Sequence, residues 1–194
     1  MSEPVPPRDP ATSRRAKRTL LLIAAVCIAP VVASYAAYYL FPREAQVNYG
    51  TLLPTALAPT VEGARLSGAP FRLADLSGRW LLVAKAGGGC DAACARVLYA
   101  TRQARTMQGR DQERIVRVWL VTDGATPSPG LVDEHPGLVV ARVPAAAAAA
   151  LPGGPNSIVV VDPLGNLVLR YSEDPDIKGI GRDLSRLLKA SRIG

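Results

Sequence analysis

Two cysteines, Cys90 and Cys94, follow the run Gly87-Gly88-Gly89 at the end of an apolar stretch, with three residues between them. If Cys90 begins a helix, that spacing brings both sulfurs to one face of its first turn. Unsatisfied amides and the helix dipole there favour thiolate over thiol; Lys85 adds to the effect and Asp91 opposes it. Thiolates so placed suit two tasks. One is attack on a disulfide through a mixed intermediate; the other is capture of Cu(I), for which two soft sulfurs suffice, whereas Cu(II) wants an added imidazole. A third reading is inert, with both residues as small buried side chains or a structural disulfide. A disulfide closing so short a loop is a poor staple, because the entropy it removes grows with loop length. The glycines are expected to leave the sulfurs open to a large partner.

His135 is the only histidine. In the polar loop "DEHPG" it is expected to be solvated rather than a third ligand. Cys27 lies in an apolar run and is most simply a membrane-buried small residue. No phosphate loop, paired-carboxylate site or Ser-His-Asp set stands out.

The elements that must position the thiols follow from length and pattern. The chain has 194 residues, room for one domain of roughly 100–150 residues and an appendage. Arg14, Arg15, Lys17 and Arg18 precede Leu20 to Phe41, a run without a charged residue and long enough for one membrane-spanning helix of about 20 residues. Pro30 is tolerable in a lipid-embedded helix. Tyr35, Tyr38 and Tyr39 gather at its far end, and the positive-inside rule puts the N-terminus in the cytoplasm. A retained anchor is favoured over a signal peptide cleaved after "SYA", because the apolar run outlasts a signal's core of roughly 7–15 residues. The net charge is +7, but five of the 23 Lys and Arg and two of the 16 Asp and Glu precede the run, leaving the exported part an excess of four cations. That suits an acidic partner or anionic headgroups and is weak ground for nucleic acid.

Residues 1–19 read as a cytoplasmic basic tail, 20–41 as a transmembrane anchor, 42–69 as a tether and irregular lead-in, and 70–194 as an α/β domain. In it "FRLADLSGRW" offers an edge element and a turn at Ser77-Gly78. Leu81 to Ala86 and Val118 onward are apolar on both faces, hence central strands. Between them Ala93, Val97, Ala100 or Thr101, Ala104 and Met107 mark one buried helix face, with Gly109 as terminator. "LVVARV" is a short strand, and Asn156 to Tyr171 form two strands around Asp162-Pro163-Leu164-Gly165, a type I turn pattern. A closing helix carries Ile180, Leu184, Leu187 and Leu188 on one face, away from Arg182, Arg186 and Lys189. Trp119 is assigned to the core. Arg96, Arg102, Arg105 and Arg110 are read as a solvated helix face in preference to a docking face. Strand, Cys-bearing helix, strand, strand, hairpin and helix make the outline of a thioredoxin-like domain behind a single N-terminal transmembrane helix.

"FRLADLSGRWLLVAKAGGGCDAAC" resembles the opening of membrane-anchored thioredoxin-fold proteins, and the gap between Cys90 and Cys94 resembles that of the Sco/SenC family of copper-handling cytochrome oxidase assembly factors. "VVVDPLGNLVLRY" is similar to the strand, D-P-x-G turn and strand of the same group. Ala95 stands where that family has a proline, and Gly154, Pro155 and Asn156 stand where its histidine ligand would be. The resemblance implies a redox pair and Cu(I) ligands at Cys90 and Cys94. It implies a bacterial inner-membrane location with a periplasmic domain, and partners in the lipid bilayer and a cytochrome oxidase subunit or other cysteine-containing protein, with no nucleic acid. Similarity to thioredoxin-type reductases assigns a cis proline to Pro155. Alternatives are a general periplasmic thiol-disulfide oxidoreductase of thioredoxin/TlpA type and a binding module without chemistry; whether the chain is an enzyme is left open.

Overall fold

The computed structural model describes residues 10–40 and 48–191. The start of the expected basic tail and the first part of the expected tether, residues 42–47, lie outside the described residues. The chain divides into two compact units, Met1–Gln46 and Val47–Gly194. In the first, the apolar run forms one helix, α1 (Pro10–Leu40), with Pro30 inside it. Its stretch Lys17–Ala36 is long and apolar enough to cross a membrane. The helix reaches back through the basic cluster, further than the apolar run alone marks.

The second unit is built on one eight-stranded sheet, in the order β1-β8-β7-β4-β5-β6-β2-β3. Its strands are β1 (Thr51–Leu52), β2 (Glu62–Arg65), β3 (Pro70–Arg72), β4 (Trp80–Ala86), β5 (Ile115–Val121), β6 (Leu138–Arg142), β7 (Ile158–Val161) and β8 (Leu167–Tyr171). The helices are α2 (Ala92–Thr106), α3 (Pro129–Asp133), α4 (Ala145–Ala149) and α5 (Ile177–Ala190). β4, β5 and β6 run parallel, and β7 lies antiparallel on the other side of β4. Every residue of β4, β5 and β7 is buried, which is why these segments read as unbroken apolar runs rather than alternating ones. The unit is a mixed α/β sheet of thioredoxin-like type.

Side-chain alternation splits the core into two layers. Trp80, Leu82, Ala84, Ile115, Trp119 and Val121 face α2 and α5. Leu81, Val83, Val116, Val118 and Leu120 face Val61, Phe71, Leu76 and Leu151 on the opposite side. The 42–69 lead-in therefore differs from the expectation of an irregular segment. β1 pairs with β8 and β2 with β6, and Val61 is 2% exposed. Short strands rich in Gly, Pro and Thr carry little periodicity of their own and are ordered by the edges they meet. α2 also stops at Thr106, leaving Met107 exposed rather than in the stripe, and Gly109, at φ +58°, opens a 3-10 turn.

Asp183, on the core side of α5, was not part of the apolar stripe read from the sequence. Its carboxylate accepts from the amides of Tyr49 (3.1 Å) and Gly50 (2.8 Å) and from the Tyr171 hydroxyl (3.3 Å). The Tyr49 ring stacks on Tyr171 at 5.8 Å, and its hydroxyl accepts from the Asp176 amide at 2.7 Å. Burial and the neighbouring Asp183 push the Tyr171 hydroxyl far above its ordinary pKa, so it stays a donor. Asp183→Ala leaves the buried Gly50 amide and Tyr171 hydroxyl and the part-buried Tyr49 amide unanswered and is expected to destabilise the domain by about 3 kcal/mol; urea unfolding of the full chain checks this.

Candidate functional site

Cys90 and Cys94 are joined by a disulfide, with Cα atoms 5.1 Å apart. The local chain explains how. β4 ends at Ala86, three glycines follow, and α2 starts at Ala92 with Asp91 as N-cap, its Oδ1 accepting from the Cys94 amide at 2.9 Å. Cys90 therefore lies outside the helix, not at its start. It sits at φ +42° in the left-handed region, with its amide donating to Gly87 O at 3.2 Å. That backbone, not an i,i+4 helical face, turns one sulfur onto the other. The two are unequal: Cys94 is 1% exposed and packs with Ala84, Ala86 and Val97, whereas Cys90 is half-buried. A thiol partner reaches Cys90 first.

The glycines have divided roles. A Cβ on Gly87 would lie 2.4 Å from Asp123 Oδ2 and one on Gly88 would lie 2.1 Å from Ala125 O, whereas one on Gly89 meets nothing within 4 Å. Asp123, just past β5, accepts from the Gly88 amide at 2.8 Å and from its own loop at Ala125 N at 3.1 Å. Gly87 and Gly88 are thus demanded by close packing and only Gly89 by open approach. The sequence signal for Asp123 is an acidic residue two positions after a strand apolar on both faces.

Lys85 does not assist the thiols. It alternates onto the face opposite Cys94, and its Nζ donates to Leu151 O (2.8 Å) and Gly153 O (2.6 Å). Burial, then the nearby Arg170, lowers its pKa. Its task is to fasten segment 151–153 against the sheet. There the expected cis proline fails: the described residues hold no cis peptide bond, so Gly154–Pro155 is trans. The turn is made instead by Asn156, at φ +56°, whose amide donates to Lys85 O at 2.7 Å, so nothing compels Pro155 into the minority isomer. Pro155 lines a cavity of about 450 Å³ with Tyr49, Ser157 and Arg170; neither cysteine lines it.

His135 is also not where the sequence suggested. It is 4% exposed rather than solvated. Between α3 and β6 the chain folds back through His135 N to Val132 O and Leu138 N to His135 O, both 3.0 Å, which carries the imidazole inward. It precedes Leu138, the register partner of Arg117, itself opposite Leu82. The cysteines follow Ala86, four residues further along β4, so His135 sits about 13 Å down-strand from the thiol end. The described residues contain no group of three or more His, Cys, Asp or Glu able to hold a metal ion. Two sulfurs alone would meet Cu(I), and the imidazole for Cu(II) is at the wrong end. On α2, Arg96 pairs with Asp174 at 3.7 Å on the surface, and Arg102 and Arg105 are tied back to the carbonyls of Glu134 and Ile115.

A disulfide between a loop cysteine that follows a central strand and a cysteine in the first turn of the next helix defines the class of a thioredoxin-like thiol protein. The chain belongs to the family described as transmembrane-like, thioredoxin-like, C-terminal domain, which matches residues 80–191. Its fold is shared with the copper-bound ScoI of Arabidopsis thaliana at 15% identity and TM-score 0.59, covering 70% of this chain and 100% of that one. The apo Sco1 protein of Thermus thermophilus aligns at 22% identity and TM-score 0.59, over 72% and 96%. The thioredoxin domain of a thiol-disulfide oxidoreductase from Bacteroides vulgatus aligns at 18% identity and TM-score 0.52, over 70% and 99%. The Sco/SenC resemblance thus holds for the fold. No curated protein sequence matches the chain.

Two outcomes follow. Gly88→Ala is expected to cost about 1–3 kcal/mol through overpacking against Ala125, whereas Gly89→Ala is close to neutral; thermal unfolding of the two variants side by side checks this. Burial first, then Arg102 and Arg117, lowers the His135 pKa below 6.5, with Glu134 opposing. The folded state then binds fewer protons than the unfolded one, so stability is highest above pH 6.5 and falls as pH drops from there through the folded pKa. His135→Asn flattens that limb of the curve of unfolding midpoint against pH.

Proposed function

We propose that the chain is a membrane-anchored thiol-disulfide exchange protein, with α1 in a bacterial inner membrane, residues 1–19 cytoplasmic and the thioredoxin-like domain periplasmic. Its substrate is a cysteine pair on an exported partner such as the copper-accepting subunit of a cytochrome oxidase. The observation that carries this is the unequal pair: a half-buried Cys90 beside the open Gly89, bonded to a fully buried Cys94. In the reducing direction the Cys90 thiolate attacks a partner disulfide and forms a mixed disulfide, releasing one partner thiolate. Cys94 then attacks Cys90 Sγ, releasing the second partner thiolate, which is protonated from solvent. The partner is reduced and the Cys90–Cys94 bond re-forms, to be reopened by a dithiol reductant of the same compartment.

A second reading is favoured by the copper-bound Sco proteins of the same fold: the reduced pair takes up Cu(I) as cargo through its two sulfurs. Soft thiolate ligands suit Cu(I), and Cu(II) would want the imidazole that is missing from this end.

The full chain in detergent separates these. Cys94→Ser is expected to accumulate a covalent adduct with a peptide carrying a disulfide, because the resolving thiol is gone, while Cys90→Ser gives none; mass spectrometry reads both. Anaerobic titration with Cu(I) is expected to give one equivalent per reduced chain, abolished by either substitution. Exchange fails as the function if Cys94→Ser forms no adduct, and copper carriage fails if the reduced chain retains none.

A further inference from the structure

Beneath the far end of α2 lies a positive charge that no carboxylate among the described residues answers. Arg117 projects from β5 on the α2 side, between Ile115 and Trp119, and is 2% exposed. Its Nη2 donates to Pro136 O at 2.6 Å, but Nε and Nη1 meet no acceptor among the described residues. His135, 4% exposed, arrives from the α3–β6 turn, and its Nδ1 also has no partner. Arg102 and Arg105 close the cluster from α2, each with one nitrogen tied to a main-chain oxygen. The charges acting on Arg117 are these two guanidinium groups. Glu134 is the carboxylate that acts on His135, and that residue is exposed.

A buried cation with no counter-charge is strongly destabilising, and such groups are paired in folded proteins. Most buried groups escape by losing their charge. Arg117 cannot: burial and its two cationic neighbours bring its pKa down only to about 10, so it is charged at neutral pH. Arg117 and His135 act on each other electrostatically, and their field and their unmet donors ask for the same thing, an acceptor carrying negative charge.

We propose that this cluster binds a small inorganic anion of the chloride type, held by Arg117 Nε and Nη1 and by a proton on His135 Nδ1, with Arg102 and Arg105 supplying the surrounding positive potential. The near-complete burial of Arg117 and His135 favours a monatomic anion over sulfate or phosphate, which bring more oxygens than there are donors to meet them. A carboxylate from a partner would have to enter with its own backbone beneath α2.

The full-length chain in detergent tests this, using sodium chloride against sodium gluconate at equal ionic strength. Chloride is expected to raise the unfolding midpoint saturably and to broaden the chlorine-35 resonance beyond the detergent blank. At a concentration 100 times the dissociation constant the unfolding constant falls about 100-fold. Arg117→Met abolishes both effects, while Arg79→Met, on the surface, keeps them. Should Arg117→Met fail to fold, Arg102→Met reads the same site through a several-fold weaker chloride response. Equal midpoints and line widths in the two salts, or a chloride response that persists in Arg117→Met, overturn the proposal.

Discussion

The parallel pairing of β4 with β5, residue for residue from Trp80↔Ile115 to Ala86↔Val121, fixes the rest of the domain. Both strands are buried on both faces, so a slip of one residue would exchange the two core layers and carry Lys85 into the layer that holds Cys94. The register also brings Asp123 level with the glycine loop, where it accepts the Gly88 amide. One carboxylate thereby converts strand register into loop shape. The loop in turn sets Cys90 in a left-handed conformation from which its sulfur meets that of Cys94.

The electrostatics at this end are muted. Asp91 occupies the N-cap and takes up the Cys94 amide, so an amide that could have faced a thiolate is spent on a carboxylate. Lys85 is engaged on the other face, and Asp123 adds a second negative group beside the loop. A helix N-terminus normally favours thiolate, but here two carboxylates work against it. Selectivity between the sulfurs therefore comes from access: Cys90 is reachable and Cys94 is not. The way to Cys90 is over Gly89, where the loop meets open space.

How far the sequence could be read depended on whether a signal was local. Strands apolar on both faces, the Asp162-Pro163-Leu164-Gly165 turn and the α5 stripe each carry their pattern within a few residues, and all appear where expected. The turn closes through Gly165 N to Asp162 O at 3.0 Å. The errors lie where long-range contacts decide. β1 and β2 are strands because β8 and β6 offer them edges. Asp183 is buried because residues 49 and 50 bring it amides from more than 130 positions away. Lys85 looked like an activating cation beside the cysteines in sequence, yet alternation sends neighbours along a strand to opposite faces. The thiol pair itself was legible as a pair, but the geometry assumed for it was not, since a positive φ at a cysteine leaves no mark in the sequence. His135 was misjudged because polar neighbours suggest solvent, whereas the α3–β6 turn buries it beside another long-range arrival, Arg117.

The two ends of the parallel strands thus hold opposite kinds of unfinished chemistry. At the C-terminal end two sulfurs lie near the carboxylates of Asp91 and Asp123; at the N-terminal end guanidinium and imidazole groups gather with no buried acid among the described residues acting on them. α2 spans both, with Asp91 as its N-cap, Cys94 in its first turn and Arg102 and Arg105 in its last two. Its charges are arranged as the macrodipole favours, acid first and base last. That arrangement stabilises the helix while concentrating positive charge over Arg117, which Arg105 and Arg102 both act on. Packing of α2 also buries Cys94. Seating of α2 on the sheet and burial of the Cys94 side chain therefore go together.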